Sequence, residues 1–281
     1  MRVGRYRLVS RTKRRAWIEY SAIDERTGRV ALLRFVDLSY DSQRRYAARR
    51  EARALAGLRH PNLCPVLEAG ELGELTWIAS PPPAGRPLHE WLIEDRPTPS
   101  RILILLGAVV DALAAAHRVG AVHRDLSLRR IHVGNDGEPT VDGFCLADAT
   151  GPLPRPGCAL VERGVLGDPA YLAPEQLDGL PATSLSDQFS FAVVAYTALY
   201  GCHPFGDRDN VAALYPAVKH QPLPTPPSVR VLPNRVLRAI ARGLAVDPSH
   251  RFPDLEALGH ALVLTTREWL RPPLHLVRDN E

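Results

Sequence analysis

Residues 122–148 of this chain read VHRDLSLRRIHVGNDGEPTVDGFCLAD, and they contain its most informative side chains. The segment follows an apolar run with helical spacing over residues 102–118, and an Asn-Asp-Gly turn signal divides it in two. The first half opens with His123–Asp125 (HRD), and the second half contains Gly143–Cys145 (GFC). Because a positioned carboxylate is a common general base, Asp125 is the first candidate for a chemical role.

The sequence patterns change character along the chain. Residues 5–36 show strand-like alternation and β-branched runs, and residues 41–58 fit one helix. The segment Pro81–Pro87 (PPPAGRP) is expected to be a stiff connector, because proline fixes φ and lacks an N–H group. Helical spacing dominates after it, which predicts an α+β fold with a small β-rich lobe and a larger, mostly α-helical lobe. The predicted boundaries are 1–80 for the small lobe, 81–87 for the connector, 88–270 for the large lobe and 271–281 for a C-terminal tail.

Composition excludes several function classes. The 281 residues are 45% hydrophobic and 23% charged, as in ordinary globular proteins, and the net charge is +4. The arginines are spread along the chain and form no concentrated basic stripe, so nucleic acid is not an expected partner. The four cysteines show no metal-binding spacing, which favours reduced thiols in the cytoplasm. We expect no signal peptide and no membrane span, because apolar runs of about 20 residues are missing.

Several motifs together resemble the protein-kinase family. The HRD segment is similar to its catalytic loop, H-R-D-L-K-P-x-N, and Gly143–Cys145 lies where the family has its metal-binding D-F-G. Gly167–Gln176 (GDPAYLAPEQ), Gly201–Phe205 (GCHPF) and Asp247–Arg251 (DPSHR) resemble later family motifs in the same order. The wording is most similar to bacterial serine/threonine kinases, and the resemblance implies a two-lobed kinase-like fold over about residues 5–265.

The retained family positions imply structural roles. Glu175 and Arg251 are expected to form a buried ion pair in the large lobe. Asp187 is expected to accept backbone N–H groups near the catalytic loop. The remaining residues to which the resemblance gives a structural role are His123, Arg124 and Phe144.

At the positions that bind nucleotide and metal in the family, this chain departs from the pattern. Phosphoryl transfer needs positive charge over the phosphates, magnesium held by oxygen ligands, and a base near the acceptor hydroxyl. The expected glycine-rich loop corresponds to residues 12–17 (TKRRAW), which contain no glycine. The altered or unpartnered positions are Leu33 for the strand lysine, Glu51 for its helix partner, Ser127 for the catalytic-loop lysine, Arg130 for the metal-binding asparagine, His132 for an apolar residue under the adenine and Gly143 for the metal-binding aspartate.

Two charged residues lie one position away from these family sites. With Phe144 aligned to the family phenylalanine, Asp142 is out of frame, and only a shift of register would bring it to the metal site. Arg34 follows Leu33, so it is expected to project from the opposite face of the strand. Glu51 is then expected to pair with an arginine of its own helix. Asp125 is retained at the position of the catalytic base, but the family's phosphate- and metal-binding residues are replaced.

These losses predict a pseudokinase, a kinase fold that regulates or scaffolds signalling by binding proteins. The expected partners are an active kinase, a substrate or another component of a bacterial signalling assembly. No cofactor and no metal are expected. The alternative is an atypical kinase or nucleotide-transferring enzyme that uses ATP and Mg²⁺ through Asp125 and Asp142, with Lys13, Arg14, Arg34 or Arg130 as cations. A third hypothesis is metal-independent nucleotide sensing, in which arginines replace magnesium.

Overall fold

The computed structural model describes residues 1–13, 18–37, 42–144, 168–206, 211–220 and 232–269. Its strands are β1 (Arg2–Val3), β2 (Tyr6–Lys13), β3 (Ile18–Asp24), β4 (Val30–Asp37), β5 (Glu68–Leu72), β6 (Leu75–Ser80), β7 (Arg86–Pro87), β8 (Ile131–Val133) and β9 (Pro139–Val141). Its helices are α1 (Ser42–Gly57), α2 (Leu88–Glu94), α3 (Pro99–Arg118), α4 (Pro174–Leu177), α5 (Ser184–Tyr200), α6 (Val211–His220), α7 (Asn234–Gly243) and α8 (Leu255–Trp269). The structure confirms the predicted two-lobed α+β fold.

The small lobe is an antiparallel sheet with strand order β1-β2-β3-β4-β6-β5. Its two faces are buried against different partners. The outer face carries a small apolar cluster around Tyr6, Leu33 and Trp77. On the other face, α1 contributes Ala52 and Leu55 to the same apolar core as Ile78 of β6. This second face looks toward the large lobe, so residues of β4 that point the same way as Ile78 line the space between the lobes.

A three-stranded sheet of the large lobe forms the floor of the space between the lobes. Strands β7, β8 and β9 pair antiparallel in this order, and the predicted turn at 135–137 connects β8 to β9. Because β8 follows the HRD segment directly and β9 precedes Asp142, this hairpin brings the two halves of the 122–148 segment together. Glycine is required at Gly85 beside it, since a Cβ there would lie 2.1 Å from the carbonyl oxygen of Val133.

The large lobe is built around α3 and α5. Thr98 caps α3 by accepting a hydrogen bond from the backbone N–H of Arg101. Helix α5 is buried along almost its whole length and ends at Gly201, whose φ of 75° suits a glycine C-cap. The sequence patterns gave no indication of the short helix α2.

The length and composition of helix α3 depart from the expectation that apolar runs of about 20 residues are missing. By length and composition it is the one helix among the described residues that could cross a bilayer, although the sequence indicated no such run. However, 61% of its most apolar window is buried inside the protein. Core helices of soluble proteins pass the same test, so α3 is weak evidence for a span.

Candidate functional site

The HRD segment is held in place by Asp187 at the start of α5. One oxygen of this carboxylate accepts the backbone N–H of His123 at 2.7 Å, and the other accepts that of Arg124 at 2.8 Å. His117 of α3 contacts the same carboxylate at 2.7 Å. Burial alone would raise the pKa of Asp187, but these contacts, above all His117, lower it below the usual value. Asp187 therefore accepts backbone N–H groups of the catalytic-loop segment, as the sequence predicted.

His123 connects the two halves of the 122–148 segment. Its Nε2 lies 2.8 Å from the backbone carbonyl oxygen of Asp142, which fixes Nε2 as the donor. Its Nδ1 accepts from the backbone N–H of Asp125 at 3.2 Å. The ring of Phe144 packs against it with centroids 4.7 Å apart. Burial lowers the pKa of His123, so the ring is a neutral connector.

Arg34 and Asp142 meet between the lobes, which corrects the predicted register. Arg34 Nη2 lies 3.0 Å from Asp142 Oδ2, and Arg34 Nε lies 2.9 Å from Glu19 Oε2. Arg34, and not Leu33, thus projects into the position of the family's strand lysine. Leu33 is fully buried in the outer cluster with Tyr6, because that face of β4 must be covered by apolar side chains.

The structure also corrects the predicted alignment of the metal-binding loop. Asp142, and not Gly143, occupies the carboxylate position, since its side chain faces Arg34 across the cleft. Burial would raise the pKa of Asp142, yet His132, Arg34 and Arg130 together lower it to about 2. His132 Nε2 lies 3.6 Å from Asp142 Oδ1, which is too long for a hydrogen bond.

Glu51 of α1 contacts the large lobe. Its Oε1 accepts from the guanidinium of Arg124 at 2.6 Å and from the backbone N–H of Val122 at 2.9 Å. The structure thus gives Glu51 a partner outside its own helix, contrary to the expectation of a pair confined to α1. Arg124 has a φ of 67°, a strained value that its contacts on both sides maintain. The two residues form a bond between the lobes.

Asp125 is engaged at both carboxylate oxygens. Its Oδ1 accepts the backbone N–H of Asp168 at 3.1 Å. Its Oδ2 lies 2.7 Å from Arg130 Nε and 2.5 Å from Arg130 Nη2. Ser127 is buried beside it and brings no positive charge to the place of the family's loop lysine. The candidate base is therefore neutralised by an arginine of its own loop.

The residues present do not fit the magnesium and ATP that the family implies. Arg130 stands where an oxygen ligand is required, and a guanidinium cannot coordinate a cation. The described residues contain no group of three His, Cys, Asp or Glu that could hold a metal ion. The predicted cation Arg14 and residues 15–17 lie outside the described residues, and the side chain of Lys13 does too.

The predicted pair between Glu175 and Arg251 is present in the large lobe. Arg251 donates through Nη1 and Nη2 to the two oxygens of Glu175, at 2.9 and 2.8 Å. Ser186 also donates to Glu175 at 2.7 Å. Burial would raise the pKa of Glu175, but the bonds from Arg251 lower it. The arrangement is a bidentate, charge-assisted pair inside the protein.

Comparisons of the sequence with known proteins give matches over most of this chain. Residues 19–263 match the family model described as protein kinase domain. The chain is 31% identical over 231 residues to serine/threonine-protein kinase PrkC of Bacillus subtilis, covering 81% of this chain and 34% of that protein. It is 30% identical over 257 residues to PknL of Mycobacterium tuberculosis, covering 90% and 63%. It therefore spans less than two thirds of the length of either relative.

Solved structures show the same fold. The kinase domain of PknI from Mycobacterium tuberculosis superposes with a TM-score of 0.64 at 20% identity, covering 94% of this chain and 98% of that one. The two lobes, the HRD segment held by Asp187 and the family match over most of the sequence lead to one conclusion. The chain belongs to the protein kinase family and is similar to bacterial serine/threonine kinases.

Proposed function

We propose that this domain is a pseudokinase, which acts in bacterial signalling by binding other proteins and not by transferring phosphate. The observation that carries the proposal is the ion pair between Arg130 and Asp125. A catalytic base needs a lone pair directed at the acceptor hydroxyl. Here one oxygen of Asp125 is bonded to Arg130 and the other to the backbone of Asp168, so Asp125 stabilises the loop instead.

The charge in the cleft also supports this function. Among the described residues, the guanidiniums of Arg34 and Arg130 are matched by the carboxylates of Glu19, Asp125 and Asp142. Within the part of the cleft that the structure describes, these contacts leave no excess positive charge for a triphosphate. Electrostatic stabilisation is the main source of rate in phosphoryl transfer, so its loss affects the reaction more than loss of a base alone.

The connector between the lobes is poorly suited to a nucleotide base. Pro81, Pro82 and Pro83 follow Ser80 in sequence, and none of them has a backbone N–H to donate. The thiol of Cys64 lies 3.5 Å from the carbonyl oxygen of Pro81 and faces it from within the protein. A planar base in the cleft would therefore find three consecutive residues without a backbone donor.

The proposed partners are proteins: an active kinase, a substrate that is presented to one, or another component of a signalling assembly in the cytoplasm. Such a role needs the kinase surface and not its chemistry. It is compatible with a chain that keeps the bonds of the fold, including those of Asp187 and Glu175, while its cleft is neutralised.

A thermal-unfolding titration with ATP, with and without Mg²⁺ or Mn²⁺, tests the proposal. We expect no metal-dependent shift, whereas a ligand at about 100 times its Kd would stabilise the protein by roughly 2.7 kcal/mol. The kinase domain of PrkC, measured in parallel, verifies the nucleotide and metal. A metal-dependent rise in the melting temperature of this protein would overturn the pseudokinase assignment.

One observation favours a second candidate, an atypical serine/threonine kinase. Arg34 and Asp142 face each other across the cleft as the family's lysine and aspartate do, and the named relatives are kinases. This candidate predicts phosphate transfer that Asp125→Ala abolishes while the variant stays folded. The pseudokinase predicts that Asp125→Ala leaves the signalling activity in cells largely intact.

A further inference from the structure

Arg130 joins the two loops of the cleft through both its backbone and its side chain. Its carbonyl oxygen accepts the backbone N–H of Asp142 at 2.9 Å, next to the β8–β9 hairpin. Its side chain turns back to Asp125 and makes two contacts with Oδ2. The same side chain lies against Gly143, the residue after Asp142. Arg130 therefore contacts both the loop of Asp125 and the loop of Asp142.

Gly143 provides the space that this side chain occupies. A Cβ built on Gly143 would lie 2.7 Å from Cδ, 2.9 Å from Nε and 3.1 Å from Cζ of Arg130. These distances are shorter than normal contacts, so any larger residue would displace the guanidinium. Gly143 also has a φ of 85°, which L-residues with side chains rarely adopt. The two departures from the family pattern, arginine at 130 and glycine at 143, are thus fitted to each other.

We infer that the guanidinium of Arg130 replaces a divalent cation in this cleft, as a permanent internal counter-ion between Asp125 and the loop of Asp142, and that Gly143 admits it. A metal ion between two acidic loops offsets their repulsion and fixes their separation. A guanidinium performs the same electrostatic task but is covalently attached, so this arrangement of the two loops needs neither ion nor nucleotide. The inference rests on the proposed function, because an active kinase needs this space for its metal.

The inference implies that a metal site is latent beneath Arg130. Asp125 Oδ2 would lose its main partner if the guanidinium were removed. Asp142 Oδ1 is buried and has no hydrogen-bond partner among the described atoms, and its neighbour His132 Nε2 is 3.6 Å away. Carboxylate oxygens are the ligands that Mg²⁺ and Mn²⁺ prefer. A side chain with an amide oxygen at position 130 would add a further ligand of the same class.

The first experiment measures thermal unfolding in MnCl₂ alone, without nucleotide. We expect no shift for the wild type. Arg130→Asn should unfold at a lower temperature without metal and regain several degrees in saturating Mn²⁺, since each kcal/mol corresponds to about 2–4 °C in a domain of this size. Arg129→Asn is the matched control, an exposed neighbour with the same substitution, and should show neither effect. An Arg130→Asn variant that is folded but indifferent to Mn²⁺ would overturn the inference.

The second experiment keeps the inference testable even if Arg130→Asn does not fold. Gly143→Ala removes no charge but pushes the guanidinium away, so it should also lose stability and respond to Mn²⁺. In a cycle with Arg130→Ala, the backbone strain at position 143 is present in both backgrounds and cancels. Gly143→Ala should therefore lower the melting temperature less in Arg130→Ala than in the wild type. Equal losses in the two backgrounds would contradict the fit between these residues.

The two proposals fail in different ways. If the wild type binds ATP with metal, the proposed function is wrong, whatever the Arg130 variants do. If the wild type ignores both ligands and Arg130→Asn ignores Mn²⁺ as well, the pseudokinase stands and only the role of Arg130 as a substitute cation is wrong.

Discussion

Two arginine–carboxylate pairs of this domain have the same chemistry and different surroundings. In the large lobe, the side chain of Arg251 is 0% exposed, and it also donates to the backbone carbonyls of Ala245 and Leu185. In the cleft, the side chain of Arg130 is 20% exposed and contacts Asp125. Both carboxylates are buried, with 10% of the Glu175 and 3% of the Asp125 side chain exposed, so the two pairs differ in the exposure of their arginines. The first pair maintains the fold, and the second occupies a reaction site.

The largest effect is expected in the large lobe. Arg251→Ala strands the charge of Glu175 and should lower the free energy of unfolding by about 3–5 kcal/mol. Arg251→Lys should recover only part of the loss, because one ammonium cannot make two parallel hydrogen bonds. Denaturant melts of the three proteins measure this. If both variants unfold at the wild-type midpoint, the buried pair contributes little, and the contrast with the cleft disappears.

A second effect is expected at the bond between the lobes. Glu51→Gln removes the carboxylate that accepts from Arg124 and from the backbone of Val122. A hydrogen bond to a charged group contributes about 1.5–3 kcal/mol, so we expect a loss in this range by denaturant unfolding. Glu71→Gln is a suitable control, since its partner Arg49 lies on the surface. A loss in Glu51→Gln no larger than in this control would show that the lobes do not depend on the bond.

A third effect is expected in acid. The folded pKa of Asp142 is about 2, below the unfolded value, so its contribution is complete above about pH 5 and is lost as the pH falls toward 2. The shift corresponds to about 2 kcal/mol. Asp142→Asn should therefore flatten the dependence of unfolding free energy on pH in this window. An unchanged slope would mean that the contacts of Asp142 do not favour its ionised form.

The smallest effect is expected on the surface. Arg86 pairs with Glu94 and Asp95, but all three side chains are substantially exposed. Solvent and salt screen such pairs, and holding long side chains in place costs entropy. Arg86→Ala should leave the denaturation midpoint unchanged within error. A clear loss would show that burial is not what separates the strong pairs of this protein from the weak ones.

The sequence predicted the helices and strands of this fold better than it predicted the direction in which their side chains point. Helix α1 and the late helices follow from apolar spacing and caps. The direction in which the side chains of β4 point cannot be predicted in this way. The run VALLRF has apolar residues on both faces of the strand and therefore shows no alternation of apolar and polar residues. Leu33 faces outward only because Tyr6 and Trp77 form an apolar cluster there. That cluster depends on distant residues, which a local pattern cannot contain.

The frame of the metal loop was missed for a similar reason. Aligning Phe144 to the family phenylalanine moved Asp142 out of position, yet His123 bonds the carbonyl of Asp142 and packs against Phe144 at the same time. The positive φ of Gly143 allows both contacts. Only the backbone conformation at Gly143 decides this, and a glycine in a sequence does not reveal which conformation it adopts.

The connector has a kinetic consequence. Pro81, Pro82 and Pro83 fix three successive φ angles where the lobes are joined, and the bond between Glu51 and Arg124 ties the lobes together on another side. Under the proposed function, a protein partner meets two lobes that are already held together, and we expect association without hinge closure. We expect such complexes to form at the ordinary rates of rigid docking, about 10⁵–10⁷ M⁻¹s⁻¹, so that affinity is tuned mainly by how slowly the partner leaves.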